Sequence, residues 1–202
     1  LAHITPPTGI DAIVHAKESY TSNIKKNFYA DILAKNALKL LNHNLAKVLK
    51  NGADLEARQN MLVGSMLAGQ AFANAPVGAV HALAYPLGGH FHLSHGHSNA
   101  LVLVEVLKFN APKAKQYYAE LMQLLDPRST GCTDGLCDLF IDHMQNHLDQ
   151  SGLTLKLKNL DIPEAKLPQL AKDALLQTRL LQNNPRELTE QDALQIYQAI
   201  YA

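Results

Sequence analysis

The sequence has no surplus charge of either sign: 18 lysines and arginines balance 18 aspartates and glutamates. That removes the basic footprint of a nucleic-acid binder or an anionic-membrane binder, so neither nucleic acid nor membrane is expected as a partner. No apolar run is long enough to span a bilayer. No signal-peptide pattern is present either, and the expected location is the cytoplasm. Cysteine is scarce. Cys132 and Cys137 cannot make a disulfide framework and, without a third soft ligand, make a poor zinc site; reduced thiols are expected. The Gly-x-Gly-x-x-Gly fingerprint and the phosphate P-loop are missing, so the chain has no evident way to hold a dinucleotide. A Gly-x-Ser-x-Gly nucleophile elbow is missing too. There is no start methionine, and the opening Leu1-Ala-His-Ile-Thr-Pro-Pro reads as the interior of a longer polypeptide.

What is present is ample apolar material (47% of 202 residues) in helical periodicity. Thr8-Gly-Ile-Asp11 reads as a capping-box start with Thr8 as N-cap. Phe28 to Lys50 is a long amphipathic helix stopped by Asn51-Gly52. Ala53 to Ala75 is a second, rich in small residues and therefore placed centrally. Val77 to Leu87 is helical until Pro86 and Gly88-Gly89 break it, which leaves residues 88–96 as a loop. Ser98 to Phe109 is a buried helix; Pro112 to Leu125 and Asp134 to Gln150 are amphipathic ones. Leu153 to Lys158 alternates and suits a short extended piece, too isolated for a sheet. Pro163 to Thr178 is helical with a break at Pro168. Thr189-Glu-Gln-Asp192 opens a last helix that runs to Ala202. The expected fold class is all-α: one domain over residues 1–202, with about eight to ten helices.

Five of the ten histidines fall between His81 and His97. Neutral imidazole is the commonest side-chain metal ligand. Upstream, Asp11 and His15 share a helix face at i, i+4, among Ile10, Ala12, Ile13 and Val14, so this turn should be buried; a buried carboxylate needs a partner or a metal. His81 and His95 are separated by a helical turn, a Pro-Gly-Gly break and a loop, which can fold two ligands back to one point. Three imidazoles and one carboxylate suit iron(II) or zinc(II) with a position left open for substrate. Spacing alone does not choose among the histidines. His90, His92 and His97 compete, although polar loop positions explain them as well. His143 and His147 sit among Asp142, Gln145, Asn146 and Asp149 and read as a solvated face.

These residues also carry a resemblance. The run Gly69-Gln-Ala-Phe-Ala-Asn-Ala-Pro-Val-Gly-Ala-Val-His81-Ala-Leu-Ala-Tyr-Pro-Leu-Gly-Gly, continuing to Ser94-His95-Gly-His-Ser-Asn-Ala-Leu, resembles a signature of the iron-containing (group III) alcohol dehydrogenases. The opening Thr8-Gly-Ile-Asp11-Ala-Ile-Val-His15-Ala-Lys-Glu-Ser-Tyr and the closing Asn184-Pro-Arg-Glu-Leu-Thr-Glu-Gln-Asp192 resemble two further blocks of that family, in the right order.

The resemblance implies the multi-helix C-terminal domain of the dehydroquinate synthase-like, iron-containing alcohol dehydrogenase fold, with the N-terminal nucleotide-binding domain absent from this chain. It implies Asp11, His15, His81 and His95 as ligands of Fe²⁺, replaced by Zn²⁺ in some members. It implies NAD or NADP in the full-length enzyme, held mostly by the absent domain, and a small alcohol or aldehyde as substrate. Phe72 matches a substrate-pocket position. Tyr85 stands where many members carry a histidine near the nicotinamide, so a proton-relay role there is in doubt; a phenol has an unperturbed pKa of about 10 against about 6.5 for imidazole. The implied activity is that of a metal-dependent NAD(P)-linked alcohol dehydrogenase or aldehyde reductase, with the isolated half inactive. Maleylacetate reductase and hydroxyacid–oxoacid transhydrogenase are alternatives within the family. A helical metal-binding module without catalysis of its own is the alternative outside it. Apolar surface is expected where the missing domain docks, and with it association into a homo-oligomer.

Overall fold

A computed structural model of the protein describes residues 3–202. It is all-α, with no strand among the described residues. The order is α1 (Thr5–Tyr20), α2 (Phe28–Lys50), α3 (Leu55–Asn74), α4 (Ala79–Phe91), α5 (His95–Leu125) and α6 (Thr133–Gln150). Two 3-10 turns (Leu157–Leu160, Glu164–Lys166) then lead to α7 (Leu167–Leu175), α8 (Thr178–Leu181) and α9 (Glu190–Ala199). Among the described residues, no helix is long and apolar enough to cross a membrane.

Local chemistry sets several ends. Asn27 accepts from Ala30 N and Asp54 from Ala57 N, each at 2.9 Å, and so they cap α2 and α3. Thr189 and Asp192 close a reciprocal capping box on α9. Pro168 stands in the first turn of α7, so it starts that helix rather than breaking it. Residues 153–156 are irregular, and the turn that follows is tied to the C-terminus through Leu157 N to Ile200 O at 3.0 Å. Thr8 is not an N-cap. α1 starts three residues earlier, with prolines in its first turn, and the Thr8 hydroxyl donates back to Ile4 O at 2.9 Å. Both cysteines are free thiols.

Three expectations fail where burial overrides local signals. α4 does not stop at Pro86: it continues through Gly88 and Gly89 to Phe91. Val80, Leu83 and Leu87 are fully buried on this helix, and their burial at roughly 1.5–3 kcal/mol each outweighs about 1 kcal/mol per helical glycine. The stop falls at His92, in the left-handed region at φ 56, whose N–H closes on Gly88 O. The expected loop over residues 88–96 shrinks to His92–Ser94. The helices expected on either side of Pro112 are one 31-residue helix, α5, whose buried Val102, Leu103, Val106, Tyr118 and Leu121 offset the lost proline hydrogen bond. α3 is not central. Its small residues let α2 approach closely, Gly64 lying against Leu41, while Leu55, Leu62 and Met66 face outward.

The core lies where α1, α2, α4 and α5 meet, and α6 packs along α5. α1, α4 and α5 are also the three helices that carry the site.

Candidate metal centre

Asp11 and His15 stand one turn apart on α1, His81 lies in the first turn of α4, and His95 is the first residue of α5. One ligand atom from each lies within 4.8 Å of all the others. Asp11 Oδ1 is the hub, at 3.5 Å from His15 Nδ1, 3.7 Å from His81 Nε2 and 3.5 Å from His95 Nε2. The ring centroids of His15 and His81 are 4.4 Å apart, those of His81 and His95 5.2 Å. The turn around Asp11 is buried as expected, but its carboxylate keeps 22% exposure.

Tautomers follow from the partners. His15 Nδ1 lies 2.9 Å from the Asp11 carbonyl, so Nδ1 donates and Nε2 is left free. His81 Nδ1 lies 2.7 Å from Glu18 Oε2, which leaves its Nε2 a lone pair directed into the cluster. Burial pushes both His15 and His95 below the ordinary imidazole value, with the neighbouring His81 adding to it; the neutral form is the ligating form.

The donor set fits a first-row divalent cation: one carboxylate oxygen and three imidazole nitrogens. His81 Nε2 is buried and has no hydrogen-bond partner. A buried, unpaired polar atom is costly, and a cation taking that lone pair removes the cost.

The N-terminus of α4, which places His81, is capped entirely from outside. Its N-cap, Gly78, has no side chain to offer. Glu18 accepts from Gly78 N at 3.0 Å and Val80 N at 2.8 Å. Asn184 Oδ1 accepts from Ala79 N at 3.2 Å and from Asn110 Nδ2 at 2.9 Å. Burial alone would raise the Glu18 carboxyl, but the Lys17 ammonium, His81 and the α4 N–H groups hold it down to about 2. Asn99, one turn beyond His95, donates to Asp11 Oδ1 at 2.6 Å. Sequence reading assigned no role to Glu18, Asn99 or Asn184. All three stood inside the quoted blocks, and for Glu18 a carboxylate one turn after a candidate ligand was the available signal.

A cavity of about 350 Å³ opens on the cluster, lined in part by His15, Phe72, Val77, His81, Tyr85 and His95. Phe72 packs on His15 with centroids 4.7 Å apart, and Tyr85 stands 5.9 Å from His95. Both candidate pocket residues therefore border the cluster.

The remaining histidines are elsewhere. His90 pairs with Asp173 at 2.6 Å, His97 Nε2 meets Thr154 O at 2.7 Å, and His92 is the left-handed cap. His143 and His147 do not form a solvated face. Their Nε2 atoms converge on Asn42 Oδ1 at 2.5 and 2.6 Å. Burial first, then His143, pushes His147 down to about 4. The unfolded chain protonates His147 near pH 6.5, the folded chain only near 4, so stability present above pH 6.5 is lost as pH falls through that window. His147→Gln keeps an N–H for Asn42 and does not titrate. Its stability, measured by urea unfolding, should therefore fall between pH 7 and pH 4.5 by about 2 kcal/mol less than that of the wild type. Equal losses would remove His147 as the cause.

Comparison with known proteins gives a consistent picture. A model described as the Fe-containing alcohol dehydrogenase family, C-terminal, matches residues 5–201. Long-chain-alcohol dehydrogenase 1 of Geobacillus thermodenitrificans is 39% identical over 200 residues, covering 98% of this chain and 50% of that protein. The 1,3-propanediol dehydrogenase of Klebsiella pneumoniae is 34% identical, covering 99% and 51%. The crystal structure of a 1,3-propanediol oxidoreductase superposes with a TM-score of 0.94 at 33% identity, over 99% of this chain and 52% of that one. The chain thus spans about half the length of the curated relatives it matches.

Proposed function

The chain belongs to the Fe-containing alcohol dehydrogenase family, matching its C-terminal domain, and from that premise we propose that it is the metal-binding half of a metal-dependent, NAD(P)-linked alcohol dehydrogenase or aldehyde reductase. In this reading residues 1–202 form one metal domain, and a nucleotide-binding half completes the enzyme. The observation that carries it is the convergence of Asp11, His15, His81 and His95, with one ligand atom from each within 4.8 Å of the rest.

Asp11 supplies the anionic ligand, and His15, His81 and His95 supply neutral nitrogens to Fe²⁺ or Zn²⁺. A cation held by these four residues would supply Lewis acidity toward an alcohol or carbonyl oxygen, and the hydride chemistry would be that of the nicotinamide. Phe72 gives the cavity an apolar wall for the carbon chain of the substrate. Tyr85, which also lines the cavity beside His95, has a hydroxyl that can donate a hydrogen bond. Ile24, Phe28, Tyr29 and Ile32 are exposed and offer apolar surface to the nucleotide-binding half or to a second copy.

The test compares this chain alone with a polypeptide that also carries the nucleotide-binding half, both loaded anaerobically with Fe²⁺. Aldehyde-dependent oxidation of NADH or NADPH is expected only from the second, and only with metal. A metal-loaded two-domain protein that transfers no hydride to any of a series of primary alcohols and aldehydes would leave a binding module instead.

A further inference from the structure

We propose that Glu18, with the buried Lys17 as its counter-charge, is a positioning residue that fixes the ring of His81 so that Nε2, and not Nδ1, faces the metal. The inference rests on the metal reading of the cluster and adds residues that lie outside the ligand set.

Three observations carry it. The Glu18 side chain is 3% exposed and spends both oxygens on one short stretch of backbone and one ring. Oε2 accepts from Gly78 N at 3.0 Å and faces His81 Nδ1 at 2.7 Å; Oε1 accepts from Val80 N at 2.8 Å. The same carboxylate therefore holds the start of α4 and the imidazole borne by that turn. The ring cannot turn about its long axis without losing the 2.7 Å contact, and the helix end cannot shift without losing the other two.

The second observation is His81 itself. With Nδ1 donating to Glu18, the lone pair belongs to Nε2, the buried atom that has no protein partner and lies 3.7 Å from Asp11 Oδ1. A carboxylate behind an imidazole fixes its tautomer and makes it a stronger ligand.

The third is Lys17. Its ammonium is 1% exposed, has no hydrogen bond, and lies 4.0 Å from Glu18 Oε1. A buried ammonium without hydrogen bonds is strongly unfavourable. Burial pushes the Lys17 ammonium below its usual range and the Glu18 carboxylate opposes that; among the described residues Glu18 is the acid within 4.0 Å of it, which sets a basic group beside the carboxylate behind His81. Glutamine at position 18 is not equivalent. Its amide would turn an NH₂ group either toward Val80 N–H or toward Gly78 N–H and His81 Nδ1–H, donor against donor.

The test uses Co²⁺ as probe, with affinity measured by chelator competition, on the wild type, Glu18→Gln, Lys17→Met and the double variant. The ring-nitrogen NMR shifts of His81 are recorded in the metal-free protein. The wild type should carry the His81 proton on Nδ1. Glu18→Gln should lose about 10- to 100-fold in Co²⁺ affinity with helix content retained. Lys17→Met should lose part of that, and little further in the Glu18→Gln background, since the two act through one contact. Wild-type Co²⁺ affinity in Glu18→Gln would overturn the proposal and leave the metal reading standing, whereas a wild type that takes up no Co²⁺ would overturn both. Should Glu18→Gln fail to fold, the wild-type tautomer decides: a proton on Nε2 overturns the positioning role.

Discussion

His81→Ala should lower the affinity of this chain for a divalent cation by roughly a hundred- to a thousandfold. Four-ligand zinc sites are worth about 10–16 kcal/mol, so one ligand in four corresponds to about 3–4 kcal/mol. His81 is the most buried of the four ligands, at 2% exposure, and its unpaired Nε2 is the atom for which the protein offers no alternative partner. Truncation also strips Glu18 Oε2 of its shortest contact, so some loss of stability accompanies the loss of metal. Circular dichroism separates the two: a helical variant with a weakened site supports the assignment. Normal metal content in folded His81→Ala would sink it. Tyr85→Phe is the matching control. It borders the same cavity but is no ligand, and should leave metal affinity unchanged.

Gly96→Ala should be the most damaging single methyl in the protein. α1 and α5 touch at this point with no side chain between them. A Cβ on Gly96 would lie 2.5 Å from the Pro7 carbonyl carbon and 3.2 Å from its Cα, and closer still to the Pro7 carbonyl oxygen. Backbone cannot yield as a side-chain end can, so the two helices must part. The expected cost is about 3 kcal/mol or more, at the upper end of overpacking penalties. The separation falls where it matters, because Asp11 and His15 ride on α1 and His95 is the residue before Gly96. Urea unfolding should show the loss of stability, and cation affinity should drop in the same variant although all four ligands remain. A variant as stable as the wild type would mean that α1 and α5 are not in this contact.

Glycine at position 96 illustrates what the sequence could and could not convey. Nothing in its neighbourhood announces that Pro7 lies against it, since a close approach between distant helices leaves no local signal. The same holds for α4. Pro86-Leu-Gly-Gly is punctuation in any local reading, and the helix runs through it because Val80, Leu83 and Leu87 are buried by partners elsewhere in the chain. His143 and His147 read as solvated because their neighbours are polar, while their shared acceptor, Asn42, lies 101 and 105 residues away. Elements whose signals are local came through: α2 within its residues, the capping box at Thr189, and the helical period that sets the all-α class. A histidine-rich run and an i, i+4 Asp–His pair are local signals that mark the region, but the choice of His81 and His95 among the five clustered histidines came from the family resemblance and not from spacing. Glu18 and Asn184 were visible as letters but not as partners, since their roles depend on backbone N–H groups at Gly78, Ala79 and Val80.

The most direct test of the central claim is anaerobic metal analysis of the folded chain, with iron and zinc counted per mole of protein. The convergence of Asp11, His15, His81 and His95 predicts about one cation per chain, lost when Asp11 or His95 is replaced. A folded wild-type chain that retains no iron or zinc under those conditions would contradict it.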